Sequence, residues 1–262
     1  MSKNKTLAIV LGVLFALVLV VALGQSVFRV GKVELVAHTT TNYLSSLSES
    51  TVLSSSQLTK GKSVFLLDKN TYKNNLEKSQ PYIKVLSIEV AWPNTVKFHY
   101  SERTELYAIL LSDGAYAFVD DDFKVLRVSK TAYTSTQQNC ITIDCGFAKS
   151  SSQIETGEFL DKNDFFDYTN LKQAYIDLNY TESQMKSMIS SISVEETEKG
   201  HTIVMQTFLG VKIQILNSGY YTSKKVALSY AMLETLDSTE YSSGTIFVFK
   251  NDQSVLESMY FA

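Results

Sequence analysis

The triplet Gly61-Lys62-Ser63 has the clearest chemical reading in the chain. It is the closing part of a phosphate-binding loop, where main-chain amides and a lysine cradle phosphates and a hydroxyl holds magnesium. Such a loop needs a second glycine five positions before Gly61, and Ser56 stands there. The triplet is therefore read as a turn between a helix and a strand. The three histidines, His38, His99 and His201, are scattered. They form no zinc-binding pair on one helix face, and no Ser or Cys lies in a recognisable nucleophile setting. Asp120-Asp121-Asp122 could attract calcium but lacks the ligand spacing of an EF-hand, so it reads as a solvated turn, as does the pair Glu195-Glu196. Cys140 and Cys145 are separated by Ile141–Asp144. They could form a disulfide, unless the intervening residues are extended and hold the sulfurs too far apart. Two thiols without neighbouring histidines do not complete a zinc site. The sequence thus predicts no catalytic residue, no cofactor site and no metal site, and a protein that is not an enzyme.

Composition narrows the partners. A formal net charge of −3, from 24 basic and 27 acidic residues, provides no basic field for nucleic acid. Two prolines and 11 glycines in 262 residues exclude a disordered stalk.

Whatever these residues do, they do it attached to an apolar segment. No charged side chain lies between Thr6 and Phe28, and Leu7–Leu23 is apolar apart from Gly12. As a helix, Leu7–Leu23 would be about 25 Å long, and about 32 Å if extended to Val27, enough for the hydrocarbon core. A cleavable export signal is the competing reading, with small residues at Ala22 and Gly24, but its apolar core would run only about 7–15 residues. Both readings export the remainder. Lys3 and Lys5 before the span and Arg29 and Lys32 after it leave no basic excess on one side. The short leading tail with its amino terminus favours a type II topology. The expected organisation is a cytoplasmic tail (1–6), a transmembrane helix (7–27), a small domain (28–103) and a larger strand-rich domain (104–262).

The overall fold class is α+β. The small domain reads strand, helix, helix, strand, strand. Val33, Leu35 and Ala37 alternate as one face of a first strand, and Leu44, Leu47 and Leu53 mark a short helix within Thr39–Ser56. Asp68 is placed to cap a second helix, with Leu67 and Tyr72 as a hydrophobic staple. Pro81 ends that helix, and Leu86, Ile88, Val90 and Trp92 form one side of the next strand. After the Pro93-Asn94 turn, Val96, Phe98 and Tyr100 alternate with Lys97, His99 and Ser101, which predicts a hairpin.

The larger domain begins with a meander of Tyr107–Leu111, Ala115–Val119 and Val125–Val128. A helix follows around Asp164–Leu178, then a hairpin of His201–Phe208 and Val211–Leu216. A helix capped by Thr222 or Ser223 carries Val226, Tyr230, Leu233 and Leu236. The chain ends in Thr245–Lys250 and Ser254–Phe261. Ile246, Phe247, Val248 and Phe249 make both faces of the first piece apolar.

With that order established, the chain resembles the FtsQ/DivIB family of bacterial cell-division proteins. The resemblance lies in Gly61-Lys62-Ser63-Val64-Phe65, Pro81-Tyr82-Ile83-Lys84-Val85, Trp92-Pro93-Asn94-Thr95-Val96, the Glu102-Arg103 pair, and Tyr116–Leu126. It departs from the family at Glu105, where a proline is usual, and at Phe123, where the acidic turn usually holds a glycine. The resemblance implies a POTRA domain over 28–103 and the family's β domain after it. It further implies a non-enzymatic divisome scaffold at the septal membrane. Its partners would be FtsL and FtsB/DivIC, small single-span coiled-coil proteins, bound by strand addition near the C-terminal edge, with no small-molecule substrate. The residues expected at that edge are Thr245, Ile246, Phe247, Val248, Phe249, Leu256, Met259 and Tyr260. The alternatives are a POTRA-bearing transport or envelope-assembly factor, and an exported cell-wall enzyme.

Overall fold

The computed structural model describes residues 11–16, 18, 27–38, 47–131, 140–198, 200–236, 244–250 and 255–261. The chain divides into two compact units, Met1–Arg103 and Thr104–Ala262. Among the described residues no helix is long and apolar enough to cross a membrane. Most of the span expected over 7–27 lies outside them. Its described part, residues 11–16, 18 and 27, is helical, and Leu11, Val13, Leu14, Phe15, Val18 and Val27 are all exposed.

In the first unit, β1 (Lys32–Ala37) is followed by α1 (Glu49–Ser56), α2 (Lys69–Ser79), β2 (Ile83–Ala91) and β3 (Thr95–Glu102). The sheet order is β1-β3-β2, with β1 parallel and β2 antiparallel to β3. Local chemistry accounts for both helix starts. The Ser48 hydroxyl accepts from the Thr51 amide at 3.2 Å, and Asp68 accepts from the Thr71 amide at 3.1 Å and its hydroxyl at 2.7 Å. In the described part of Thr39–Ser56 the expected helix runs over Glu49–Ser56, and Leu44 lies outside the described residues. Val96 and Phe98 are fully buried and Tyr100 nearly so, against Tyr72, Leu76 and Val52. Burial of the Phe98 ring alone contributes about 3 kcal/mol.

Three expectations for this unit are corrected. The register shifts between Val85 and Ser87, turning Leu86 out to solvent, so the core face is Ile83 and Val85 and then Ile88 and Val90. Trp92 lies beyond the strand, and its side chain is exposed. Ala37, at the end of β1, is exposed as well.

The second unit is one nine-stranded sheet with helices. Its strands are β4 (Tyr107–Leu111), β5 (Tyr116–Val119), β6 (Val125–Ser129), β7 (Ile141–Phe147), β8 (Ile189–Thr197), β9 (Gly200–Thr207), β10 (Lys212–Ile215), β11 (Thr245–Lys250) and β12 (Leu256–Phe261). Its helices are α3 (Phe166–Asp177), α4 (Glu182–Met188) and α5 (Thr222–Leu233). The order across the sheet is β12-β11-β10-β9-β8-β7-β4-β5-β6. Pairing is parallel at β4/β7, β7/β8 and β10/β11. The core joins Ile109, Ile143, Ile192, Ile203, Ile213 and Ile246 of the sheet to helix residues such as Leu171, Tyr175, Val226 and Tyr230.

The start of α5 departs from expectation. Its N-cap is Tyr221, with φ 57° and no side-chain capping bond, while the Thr222 hydroxyl donates backward to the Ser218 carbonyl at 2.6 Å. The buried Lys225 then secures the preceding loop by donating to the carbonyls of Leu216 and Asn217 at 2.8 and 2.6 Å. Glu195 and Glu196 are exposed as expected, but in strand β8 rather than a turn. Cys140 and Cys145 are both free thiols. The extended β7 separates their Cα atoms by about 16 Å, far beyond disulfide reach.

Candidate functional site

The residues with a chemical reading are structurally engaged. Gly61, at φ 86°, turns the chain from α1 into a 3-10 turn over Val64–Leu66, so the Gly-Lys-Ser triplet joins two helical elements and leads into no strand. In the acidic turn, Asp120 accepts from the amides of Asp122 and Lys124 at 3.0 and 2.8 Å. Asp121 pairs with Lys172, and Asp122 with Lys162. His38 and His99 share a hydrogen bond of 3.1 Å, and Glu89 lies 3.2 Å from the other ring nitrogen of His99. Asp167 bonds to both His201 and Ser218 at 2.6 Å, so the serine is held by the carboxylate, and the histidine is not its base. The carboxylate keeps the imidazole pKa above its ordinary value.

The C-terminal sheet end differs, because β12 is paired with β11 alone among the described strands. The antiparallel register places Ile246 opposite Tyr260, Phe247 opposite Met259 and Phe249 opposite Glu257. Alternation then separates two faces. Ile246 and Val248 are fully buried in the core, and Tyr260 packs against that core. The Tyr260 ring lies so close over Gly244 that a Cβ there would collide with it, which makes glycine a packing requirement at the entry to β11. On the other face Thr245, Phe247 and Phe249 are half-buried, while Met259 and Phe261 are exposed. Phe247 and Phe261 meet edge to face, with ring centroids 5.5 Å apart. Leu256, opposite Lys250, is half-buried.

Of the residues expected at this edge, Ile246 and Val248 hold the strand in place from the core side. Thr245, Phe247, Phe249 and Met259 share the solvent-facing side. Phe261 and Val255, outside the expected set, are exposed as well. The period-two signal carried Phe261, which stands on the same face as Met259. The edge offers backbone pairing and a largely apolar, partly aromatic face on which Glu257 is the acidic member.

Residues 41–103 match the family model described as the POTRA domain, FtsQ-type. Two curated relatives carry the name Cell division protein DivIB. That of Clostridium acetobutylicum is 30% identical over 105 residues, covering 40% of this chain and 40% of the relative. That of Clostridium tetani is 33% identical over 82 residues, covering 31% of this chain and 30% of the relative. The chain thus aligns with well under half the length of these relatives. With the strand-helix-helix-strand-strand unit and the strand-rich unit after it, these matches make residues 41–103 similar to an FtsQ-type POTRA domain and the aligned stretch similar to DivIB cell-division proteins.

Proposed function

We propose that this chain is a non-enzymatic, single-pass membrane scaffold of the bacterial divisome. In this reading its second unit lies outside the cytoplasm and docks small single-span coiled-coil proteins of the FtsL and FtsB/DivIC kind by strand addition to β12. The observation that carries the proposal is the apolar face of Phe247, Met259 and Phe261 at β12, which pairs with β11 alone among the described strands. An added strand would gain main-chain hydrogen bonds along β12, each contributing about 1 kcal/mol net. Side chains two residues apart would select the partner. The division role is supported by the names of the two relatives, and the membrane location by the exposed apolar helix at residues 11–16 and 18.

The experiment is co-purification of the membrane-extracted chain with its partners. Met259→Asp and Phe247→Asp place charge on the open face without entering the core. They are expected to abolish capture of two short coiled-coil membrane proteins while circular dichroism stays unchanged. Unchanged capture would refute docking at this edge, and a fluorescent fusion spread evenly around the cell would refute the septal role.

A further inference from the structure

The first unit carries a second apolar surface, formed by three turns. Phe28, Phe65 and Trp92 meet pairwise, with ring centroids 5.5 Å (Phe28–Phe65), 5.4 Å (Phe28–Trp92) and 5.2 Å (Phe65–Trp92) apart. Phe65 is 64%, Trp92 61% and the adjoining Leu66 75% exposed. An exposed aromatic cluster of this kind marks an interaction surface.

The cluster is built by the main chain. The Val64 amide donates to the Phe28 carbonyl at 3.0 Å, Val30 donates to Lys62 at 2.8 Å, and Gly61 donates back to Val30 at 2.8 Å. The amides of Gly31 and Lys32 both reach the Asn94 carbonyl, at 2.8 and 3.3 Å. Gly31 allows this approach, since a Cβ there would lie 2.9 Å from the Asn94 side chain. The segment Phe28–Lys32 therefore ties together the turn bearing Phe65 and the turn bearing Trp92. Val30 and Val64 beneath them are buried.

We propose that Phe28, Phe65, Leu66 and Trp92 form a surface that seats the small domain in the interfacial layer of the lipid bilayer. The proposal rests on reading residues 7–27 as a membrane span. If that run fills the hydrocarbon core, Phe28 follows its last residue by a single Cα step of about 3.8 Å. The headgroup layer on each side is roughly 5–8 Å thick. The Phe65 and Trp92 rings, with centroids within 5.5 Å of the Phe28 ring, are thereby held close to that layer. This is the depth that tryptophan favours, with its rings in the acyl boundary and its N–H in the headgroups. Seating three turns at once would set the domain's tilt, which a flexible linker would leave free.

Trp92 is the sole tryptophan in the sequence, so tryptophan emission, excited selectively over the 15 tyrosines, reports on this surface alone. The full chain is reconstituted in phosphatidylcholine–phosphatidylglycerol vesicles, recovered by flotation, and exposed to lipids carrying nitroxides at shallow or deep acyl positions. Strong quenching by the shallow label, weak quenching by the deep label and shielding from acrylamide are expected. Phe65→Ser with Leu66→Asp, both at exposed positions, is expected to lower shallow quenching by about half without changing circular dichroism. A chain that floats while Trp92 remains open to acrylamide and unaffected by lipid nitroxides overturns the proposal and leaves the span intact. Shielding that appears only after a protein partner is added, or quenching unchanged in the double variant, also overturns it. A chain that fails to float removes the span reading, and this proposal with it.

Discussion

The guanidinium of Arg103 donates from Nη2 to Oε2 of Glu77 at 3.0 Å, with both side chains less than a tenth exposed. The pair is fully engaged on its other sides. Arg103 Nε donates to the Ile83 carbonyl at 3.2 Å, and Glu77 Oε1 accepts from the Val85 amide at 2.8 Å. The last residue of the first unit thereby fixes α2 against β2.

Removing Arg103 leaves the Glu77 charge buried, with the exposed Lys73 at 3.9 Å as a partial offset. Arg103→Met is expected to cost about 3–5 kcal/mol, whereas Glu77→Leu with Arg103→Met should recover most of that loss because neither charge remains. Urea unfolding followed by Trp92 fluorescence measures both. A double variant as unstable as the single one would show that the pair acts through packing alone.

Phe123 stands where the resembling family usually has glycine, and it adopts φ 61°. For a residue with a Cβ that conformation costs about 1–2 kcal/mol. The same side chain is buried and stacks on Phe165 at 4.6 Å and on Tyr107 at 5.4 Å. Loss of a buried phenyl ring costs about 3–5 kcal/mol. Packing is the larger effect, so Phe123→Gly should destabilise the second unit by about 2 kcal/mol despite the relieved backbone. A higher thermal midpoint in that variant would reverse the ranking.

The first unit was legible where its signals are local. The Asp68 cap, the Pro81 stop and the alternation of Val96, Phe98 and Tyr100 each lie within a few residues, and the structure contains all three. Leu86 was misplaced because a single extra residue reverses the facing of a strand without changing its composition. Seven of the nine strands of the second unit were visible, while β7 and β8, in the centre of the sheet, were not expected. The merger of all nine into one sheet was not visible either, because parallel pairing of β4 with β7 or of β10 with β11 leaves no mark in either sequence segment. At the C-terminal edge the doubly apolar run Ile246–Phe249 was readable. Which half faces the core depends on where α5 packs, and that is set by the fold as a whole.

His201 links the second unit's stability to pH. Its ring bonds to the buried Asp167 carboxylate at 2.6 Å, and that hydrogen bond, followed by the carboxylate's charge, raises the imidazole pKa. The unfolded chain titrates near the ordinary value of about 6.5. The stabilisation is therefore complete below that pH, and it is lost as pH rises through the elevated folded value. The ring is 51% exposed, which limits the effect to about 1 kcal/mol or less. The thermal midpoint of the native chain should exceed that of His201→Gln most clearly near pH 6, and the gap should narrow toward about pH 8. Subtracting the two melting curves cancels the other titrating groups. A gap that stays constant over this range would mean that the Asp167 contact contributes as a neutral hydrogen bond, with no part played by the imidazolium charge.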